Sequence, residues 1–368
     1  MKNYSIAVLP GDGIGPEVVA QALKVLRAIE KRFSLRFGLH ESLIGAAAID
    51  ACGDPLPEPT LAGCISSDAV LLGAVGHPKY AQAEIRPEQG LLQLRKELGL
   101  YANMRPVKTW PQLAEQSPLK NELLAGVDLV VVRELTGGLY YGASGRSAGC
   151  ESAYDTCVYS RQEIERITRC AFQLARARRN KITLVDKANV LETSRFWRSI
   201  VHEIAPQFPD VTLDCMYVDN AAMQLIREPR RFDVILTENM FGDILSDESS
   251  VLAGSLGLLP SASTGEHAGL FEPVHGSYPE AAGKNSANPV ASILSVAMML
   301  DYLGEPDAAA AVREAVDWSV AGGMVTCELN PEKFLSCSRL GDLLALRINE
   351  KEDLETGPLL FSDQDALL

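Results

Sequence analysis

The sequence predicts an α/β chain with buried, largely parallel strands. Three observations carry that prediction: short β-branched runs alternate with longer helical patterns, the runs are mostly apolar, and polar motifs follow many of them. A run apolar at every position must be covered on both faces, as in parallel sheets flanked by helices. In chain order, SIAVL from Ser5 is a strand and PEVVAQALKVLRAIEKRF from Pro16 its helix. DAVLLG from Asp68 and VDLVVV from Val127 are further strands. KITLVD from Lys181 precedes the helical ETSRFWRSIVHEI from Glu192; VTLDCMYV from Val211 and FDVILT from Phe232 follow, the latter ahead of a helix from Phe241. Leu139 to Tyr159 holds Gly, Ser and Tyr with no helical period and is expected as an extended β excursion. The acidic, polar stretch from about Asn349 is expected as a frayed tail.

At 368 residues the chain is long for one core and suits two lobes. The composition, 47% hydrophobic and 22% charged, is that of a soluble globular protein. A net charge of −14 argues against nucleic acid as a partner, because phosphate binding needs a basic surface. It also means that an anionic substrate must be held by a local basic cluster. No apolar run reaches the ~20 residues of a membrane span, and the N-terminal run is too short for a signal-peptide core. The eight cysteines are scattered, without a CxxC pair, as expected of reduced thiols in a cytoplasmic protein.

Polar motifs stand at the C-terminal ends of predicted strands, the edge where open α/β sheets bind ligands: GDGIG, RELTGG, DKAN, DN and TENMFGD. GDGIGPE, from Gly11, fails the dinucleotide fingerprint by one residue and lacks a Walker lysine, so it is equally a plain tight turn. Arg95, Arg105 and Arg133 each lie near the end of an element. Guanidinium forks match carboxylates, and three on one edge would suit a dicarboxylate, although a surface ion pair is the plainer reading of each alone. Asp243 and Asp247 stand four apart on a predicted helix and could grip a hard cation. Helix-dipole compensation is the plainer role for Asp243, and an N-cap for Asp219. Lys187 after a buried strand could act as a base and Tyr140 as an acid. His275 has the most site-like neighbours of the five histidines.

These motifs also occur together. GDGIGPE, RPEQGLLQLRKELGLYANMRPVK, RELTGGLYYG, VDKANVLETSRFWR, YVDNAAMQL, TENMFGDILSDESSVLAGSLGLLPSAS and EPVHGSYPEAAGKNSANP closely resemble, in order and spacing, the metal-dependent β-decarboxylating dehydrogenases of the isocitrate/isopropylmalate family. The match runs from about Ile6 to about Leu346. The resemblance implies a two-lobed α/β fold with a mixed, largely parallel sheet, distinct from a Rossmann fold. One lobe would be residues 1–101 with 254–350 and the other 102–253, followed by an acidic tail at 351–368. Arg95, Arg105, Arg133 and Asp219 would bind substrate, Tyr140 and Lys187 would be catalytic, and Asp219, Asp243 and Asp247 would hold Mg²⁺ or Mn²⁺. Lys187 and Asp219 would reach into a neighbouring subunit's site, implying a homodimer with shared active sites and a β arm near 139–160.

By the same resemblance NAD is held by loops through Glu272, His275, Gly276, Glu280 and Asn288, with Glu88 near the nicotinamide. An acid at position 280 would repel a 2′-phosphate and favours NAD over NADP. Tyr278, Glu280 and Ser286 depart from the family's usual residues there. Leu91 and Leu92 offer an apolar surface where isocitrate enzymes need polar partners, which points to 3-isopropylmalate and the leucine pathway. D-Malate or tartrate oxidation and a silent regulatory subunit are the rival expectations; the latter predicts damaged catalytic positions, and none is damaged.

Overall fold

The computed structural model describes residues 2–350, so the expected acidic tail lies outside the described residues. Strand β1 (Lys2–Gly11) turns into helix α1 (Gly15–Phe33), then β2 (Leu35–Glu41), α2 (Ala46–Cys52), α3 (Glu58–Ser66) and β3 (Ala69–Ala74). Next come α4 (Pro87–Glu97), β4 (Leu100–Lys108), the short α5 (Asn121–Leu124) and β5 (Asp128–Glu134). A hairpin of β6 (Ser144–Arg146) and β7 (Ala153–Asp155) occupies the expected β excursion. It is followed by α6 (Arg161–Arg176), β8 (Lys181–Asp186), α7 (Glu192–Ile204), β9 (Thr212–Tyr217), α8 (Val218–Arg227), β10 (Val234–Thr237) and α9 (Asn239–Ala253). The antiparallel pair β11 (Pro260–Gly265) and β12 (Gly269–Pro273) precedes α10 (Val290–Tyr302), α11 (Pro306–Ala321) and α12 (Cys337–Asn349).

Ten strands form one sheet in the order β2-β1-β3-β12-β11-β4-β5-β10-β8-β9. Its outer parts are parallel, β2-β1-β3-β12 on one side and β5-β10-β8-β9 on the other. The three central pairings, β12–β11, β11–β4 and β4–β5, are antiparallel. Three reversals leave the two parallel halves pointing in opposite directions. The polar motifs therefore do not share one C-terminal edge, as the strand pattern alone suggested. GDGIG leaves one edge of the sheet, whereas RELTGG, DKAN, DN and TENMFGD leave the opposite one.

The inner strands of both halves bury both sheet faces, which explains their apolar runs, whereas the edge strands β2 and β9 stay largely exposed. In β1, Ile6 and Val8 pack beneath α1, α10, α11 and α12, while Ala7 and Leu9 join Leu94 and Leu98 on the other face. In β5, Val130 and Val132 pack against α6 and α7, while Leu129 and Val131 meet Leu225 of α8 and Leu245 of α9. Burying such side chains contributes about 1.5–3 kcal/mol each. Between these cores, on the α9 side of the central strands, polar side chains take over the inward positions. Among the described residues no helix is long and apolar enough to cross a membrane. All eight cysteines are unpaired.

Candidate active site

The polar row starts with Arg133, which continues the Leu129–Val131 face of β5 by the two-residue strand period. Its register partner on β4 is Asn103, so Asn103 and Arg105 share that face. Ser263 of β11 pairs with Asn103, and Ser261 pairs with Glu272 of β12. The fully buried Asn103 donates through Nδ2 to Ser261 Oγ (2.8 Å) and Ser263 Oγ (3.0 Å) and accepts from Arg105 Nε (3.0 Å). A buried polar ladder thus fixes Arg105, and satisfying every member avoids the cost of burying it.

Arg133 is buried on the sheet side by Asn239, whose Oδ1 accepts from both Nε (3.0 Å) and Nη2 (2.8 Å). Asn239 Nδ2 donates to Gly137 O, and its backbone N–H donates to Tyr159 Oη, which in turn donates to Glu238. This leaves Nη1 of Arg133 for Asp243, with which it forms a close ion pair. Gly242 permits the arrangement: a Cβ there would stand 2.6 Å from Arg133 Cγ. Arg105 Nη1 reaches Ser246 Oγ (2.8 Å) and Asp247 Oδ1 (3.2 Å). Tyr140 Oη donates to Asp243 Oδ2 at 2.9 Å. Arg95 Nη2 meets Glu272 Oε1 at 2.7 Å, and its buried Nε has no partner.

The electrostatics show that the three arginines converge. Burial draws the Arg133 guanidinium down to about 10 against the pull of Asp243, with Arg105 and Arg95 lowering it further. Burial also lowers Arg105, again with Arg95 contributing. Clustering three cations costs energy unless an anion joins them. Desolvation first, and the Asp243 hydrogen bond second, raise the Tyr140 phenol, which keeps its proton at neutral pH.

Asp243 lies beyond the first turn of α9, whose N-cap is Glu238, so helix-dipole compensation does not account for it. Asp247 stands one turn on, and the side chains of the two are 35% and 67% exposed, leaving carboxylate oxygens available to a hard cation. Asp219 is not an N-cap; Tyr217 precedes α8, and Asp219 accepts from Lys187 Nζ at 2.7 Å, which lowers its pKa. Among the described residues no hydrogen bond or ion pair joins Lys187 or Asp219 to Asp243 or Asp247. Among the described residues no three His, Cys, Asp or Glu side chains stand together as a metal cage.

On α4, Glu88, Leu91, Leu92 and Arg95 lie at helical spacing along one stripe. Leu91 packs partly against the core while Leu92 is 44% exposed. Glu88 and Ser277 both border Gly76, which joins this helix to the loop 274–289 after β12. The Gly11–Gly15 turn seats that loop. Ser277 O accepts from Ile14 N–H at 2.8 Å and would lie 2.0 Å from a Cβ on Gly13, while Glu17 accepts from Gly283 N–H. Asp12, 5% exposed, accepts backbone N–H groups of Ala46, Ala47 and Gly76 at 2.8–2.9 Å. The turn that imitated a dinucleotide fingerprint is therefore a scaffold.

Within the loop, His275 Nε2 is buried without a partner, and burial lowers the imidazole pKa. Space is open where a Cβ on Gly276 would stand, and Glu280 is exposed. Asn288 Oδ1 accepts from Val290 N–H and Nδ2 donates to Glu328. Glu272, expected near the cofactor, pairs with Arg95. Asn103 and Asn239 were missed by sequence reasoning. Their signals were the two-residue offset from Arg105 and the four-residue offset from Asp243.

Residues 5–344 match the family model described as isocitrate/isopropylmalate dehydrogenase. The chain is 59% identical over 338 residues to a 3-isopropylmalate dehydrogenase of Geobacillus kaustophilus, covering 90% of this chain and 91% of that one. It is 55% identical over 342 residues to the 3-isopropylmalate dehydrogenase of Bacillus subtilis, covering 90% and 93%. Its fold superposes on the crystal structure of isocitrate dehydrogenase from Methylococcus capsulatus with a TM-score of 0.86 at 38% identity, covering 94% and 100%. The chain belongs to the isocitrate/isopropylmalate dehydrogenase family.

Proposed function

We propose that the protein oxidises and decarboxylates (2R,3S)-3-isopropylmalate to 4-methyl-2-oxopentanoate with NAD and Mg²⁺ or Mn²⁺, as a cytoplasmic homodimer in leucine biosynthesis. The observation that carries this reading is the cluster of Arg95 from α4 with Arg105 and Arg133 from the sheet, set against Asp243, Asp247 and Tyr140, beside the apolar Leu91–Leu92 surface. The arginines would hold the two carboxylates of a malate core. The leucines would take the isopropyl group, worth about 1.5–3 kcal/mol, and would strongly penalise the additional carboxylate of isocitrate.

Asp243 and Asp247 supply only oxygen donors, which suits a hard cation, and Asp219 of a second copy would complete the set. The orphaned His275 Nε2 and the open space beside Gly276 suit a ligand at the loop, with Glu280 favouring the free ribose hydroxyl of NAD. The cation would supply Lewis-acid polarisation of the substrate and NAD would serve as the hydride acceptor. Lys187 Nζ, reaching across from the second copy, would accept the hydroxyl proton. Tyr140 Oη would return a proton to C3 after carbon dioxide leaves, and Asp243 fixes its aim. Ile244 on α9 and Met223 on α8, 56% and 54% exposed, would be covered by the second copy.

The test is NADH production from 3-isopropylmalate, D-malate, tartrate and isocitrate by the purified enzyme with Mg²⁺ or Mn²⁺. Isopropylmalate is expected to give the highest kcat/KM, with activity lost on chelation and restored by either ion. A preference for D-malate or tartrate would overturn the substrate assignment.

A further inference from the structure

Tyr278 is the one aromatic residue among the described residues with a left-handed backbone, at φ 38° and ψ 65°. The other non-glycine residues in that region are two asparagines, a serine and a cysteine. Asparagine tolerates left-handed geometry, but a bulky aromatic residue there is strained. The conformation is imposed from both sides. Ser277 is tied to Ile14 through its carbonyl, Pro279 follows immediately, and Gly283 is tied to Glu17. Asn285 is clamped to Ser338 through both ends of its amide. Tyr278 is 61% exposed, and no hydrogen bond or ring contact engages its side chain among the described residues. A strained backbone carrying an exposed, uncommitted ring is a feature the fold maintains without gain to its own packing.

Glu280 stands two residues further on, and the reading above sets it at the adenosine ribose. The base on that ribose would lie within a few ångströms of its hydroxyls, about the span of two residues in a turn. We infer that Tyr278 is a cofactor-binding residue of this chain, presenting its ring as a stacking face for the adenine of the dinucleotide. Stacking uses the ring face, so the hydroxyl is dispensable. This inference rests on the proposed use of the loop for NAD.

The test measures equilibrium binding of NADH, ADP-ribose and nicotinamide mononucleotide to the wild-type enzyme and to Tyr278→Phe, Tyr278→Ala and Tyr278→Gly, alongside the thermal midpoint of each free protein. Tyr278→Phe should bind all three ligands within about twofold of wild type, because the stacking face is kept. Tyr278→Ala and Tyr278→Gly should weaken NADH and ADP-ribose by about tenfold, the scale of one base–aromatic stack, and leave the mononucleotide unchanged. The free Tyr278→Gly protein should also melt above the free Tyr278→Ala protein, since only glycine relieves the left-handed strain. Wild type that binds NADH together with a Tyr278→Ala variant that binds it equally would overturn the role given to Tyr278. Wild type that binds neither NADH nor ADP-ribose would overturn the cofactor reading and the inference with it.

Discussion

The arginine–aspartate cluster and the loop 274–289 are built by different means. Arg105, Arg133, Asp243 and Asp247 project from two strands and a helix, and each arginine is held by a buried asparagine. The loop has no strand or long helix of its own and keeps its shape through tethers to Ile14, Glu17 and Ser338. Regular elements fix charged groups to within a fraction of an ångström, as proton transfer demands. A tethered loop suits binding, where small displacements cost less. Substitutions in the cluster should therefore reduce turnover, and substitutions in the loop should chiefly reduce affinity for the dinucleotide.

The largest break in that contrast should come from the proposed proton-transfer groups. Tyr140→Phe or Lys187→Met should lower kcat by about 10²–10⁴, with NAD affinity preserved in steady-state kinetics. Gly242→Ala comes next: its methyl would displace Arg133, destabilising the fold by about 1–3 kcal/mol and raising KM for the substrate. Denaturant titration with parallel kinetics would check both effects. Asn239→Ala should strand two guanidinium donors, at about 1–3 kcal/mol, and raise substrate KM more than NAD KM.

The smallest expected effect belongs to the loop. Burial depresses the His275 pKa below its ordinary 6.5, so the folded state favours neutral imidazole. Between those two values the unfolded chain binds more protons, so this contribution is present above pH 6.5 and is lost as pH falls toward the folded value. His275→Gln should flatten stability against pH in that window alone, and chemical denaturation at several pH values would show it.

What the sequence could reveal follows the same division. VDLVVV and KITLVD were legible because both faces of their strands are apolar. The strands that form the site were not: YANMRPVK and PSASTG carry polar residues at alternate positions, so neither is an apolar run. The strand-end rule then failed, because those overlooked antiparallel strands reverse the second half of the sheet. The four-residue spacing of Asp243 and Asp247 was visible on one helix. The convergence of Arg95, Arg105 and Arg133 was not, since it depends on that reversal. Motif order supplied the family, and the fold supplied the reason Gly11–Gly15 is shaped as it is.

In the proposed homodimer, Lys187 and Asp219 of one copy would complete the Asp243 cluster of the other. Lys187→Met and Asp243→Asn should each give inactive homodimers. Random assortment of the two chains by joint refolding should restore about a quarter of wild-type activity, because half of the dimers are mixed and one of their two sites is intact. Mixed dimers that form, as shown by differently tagged chains, yet stay inactive would contradict the shared site.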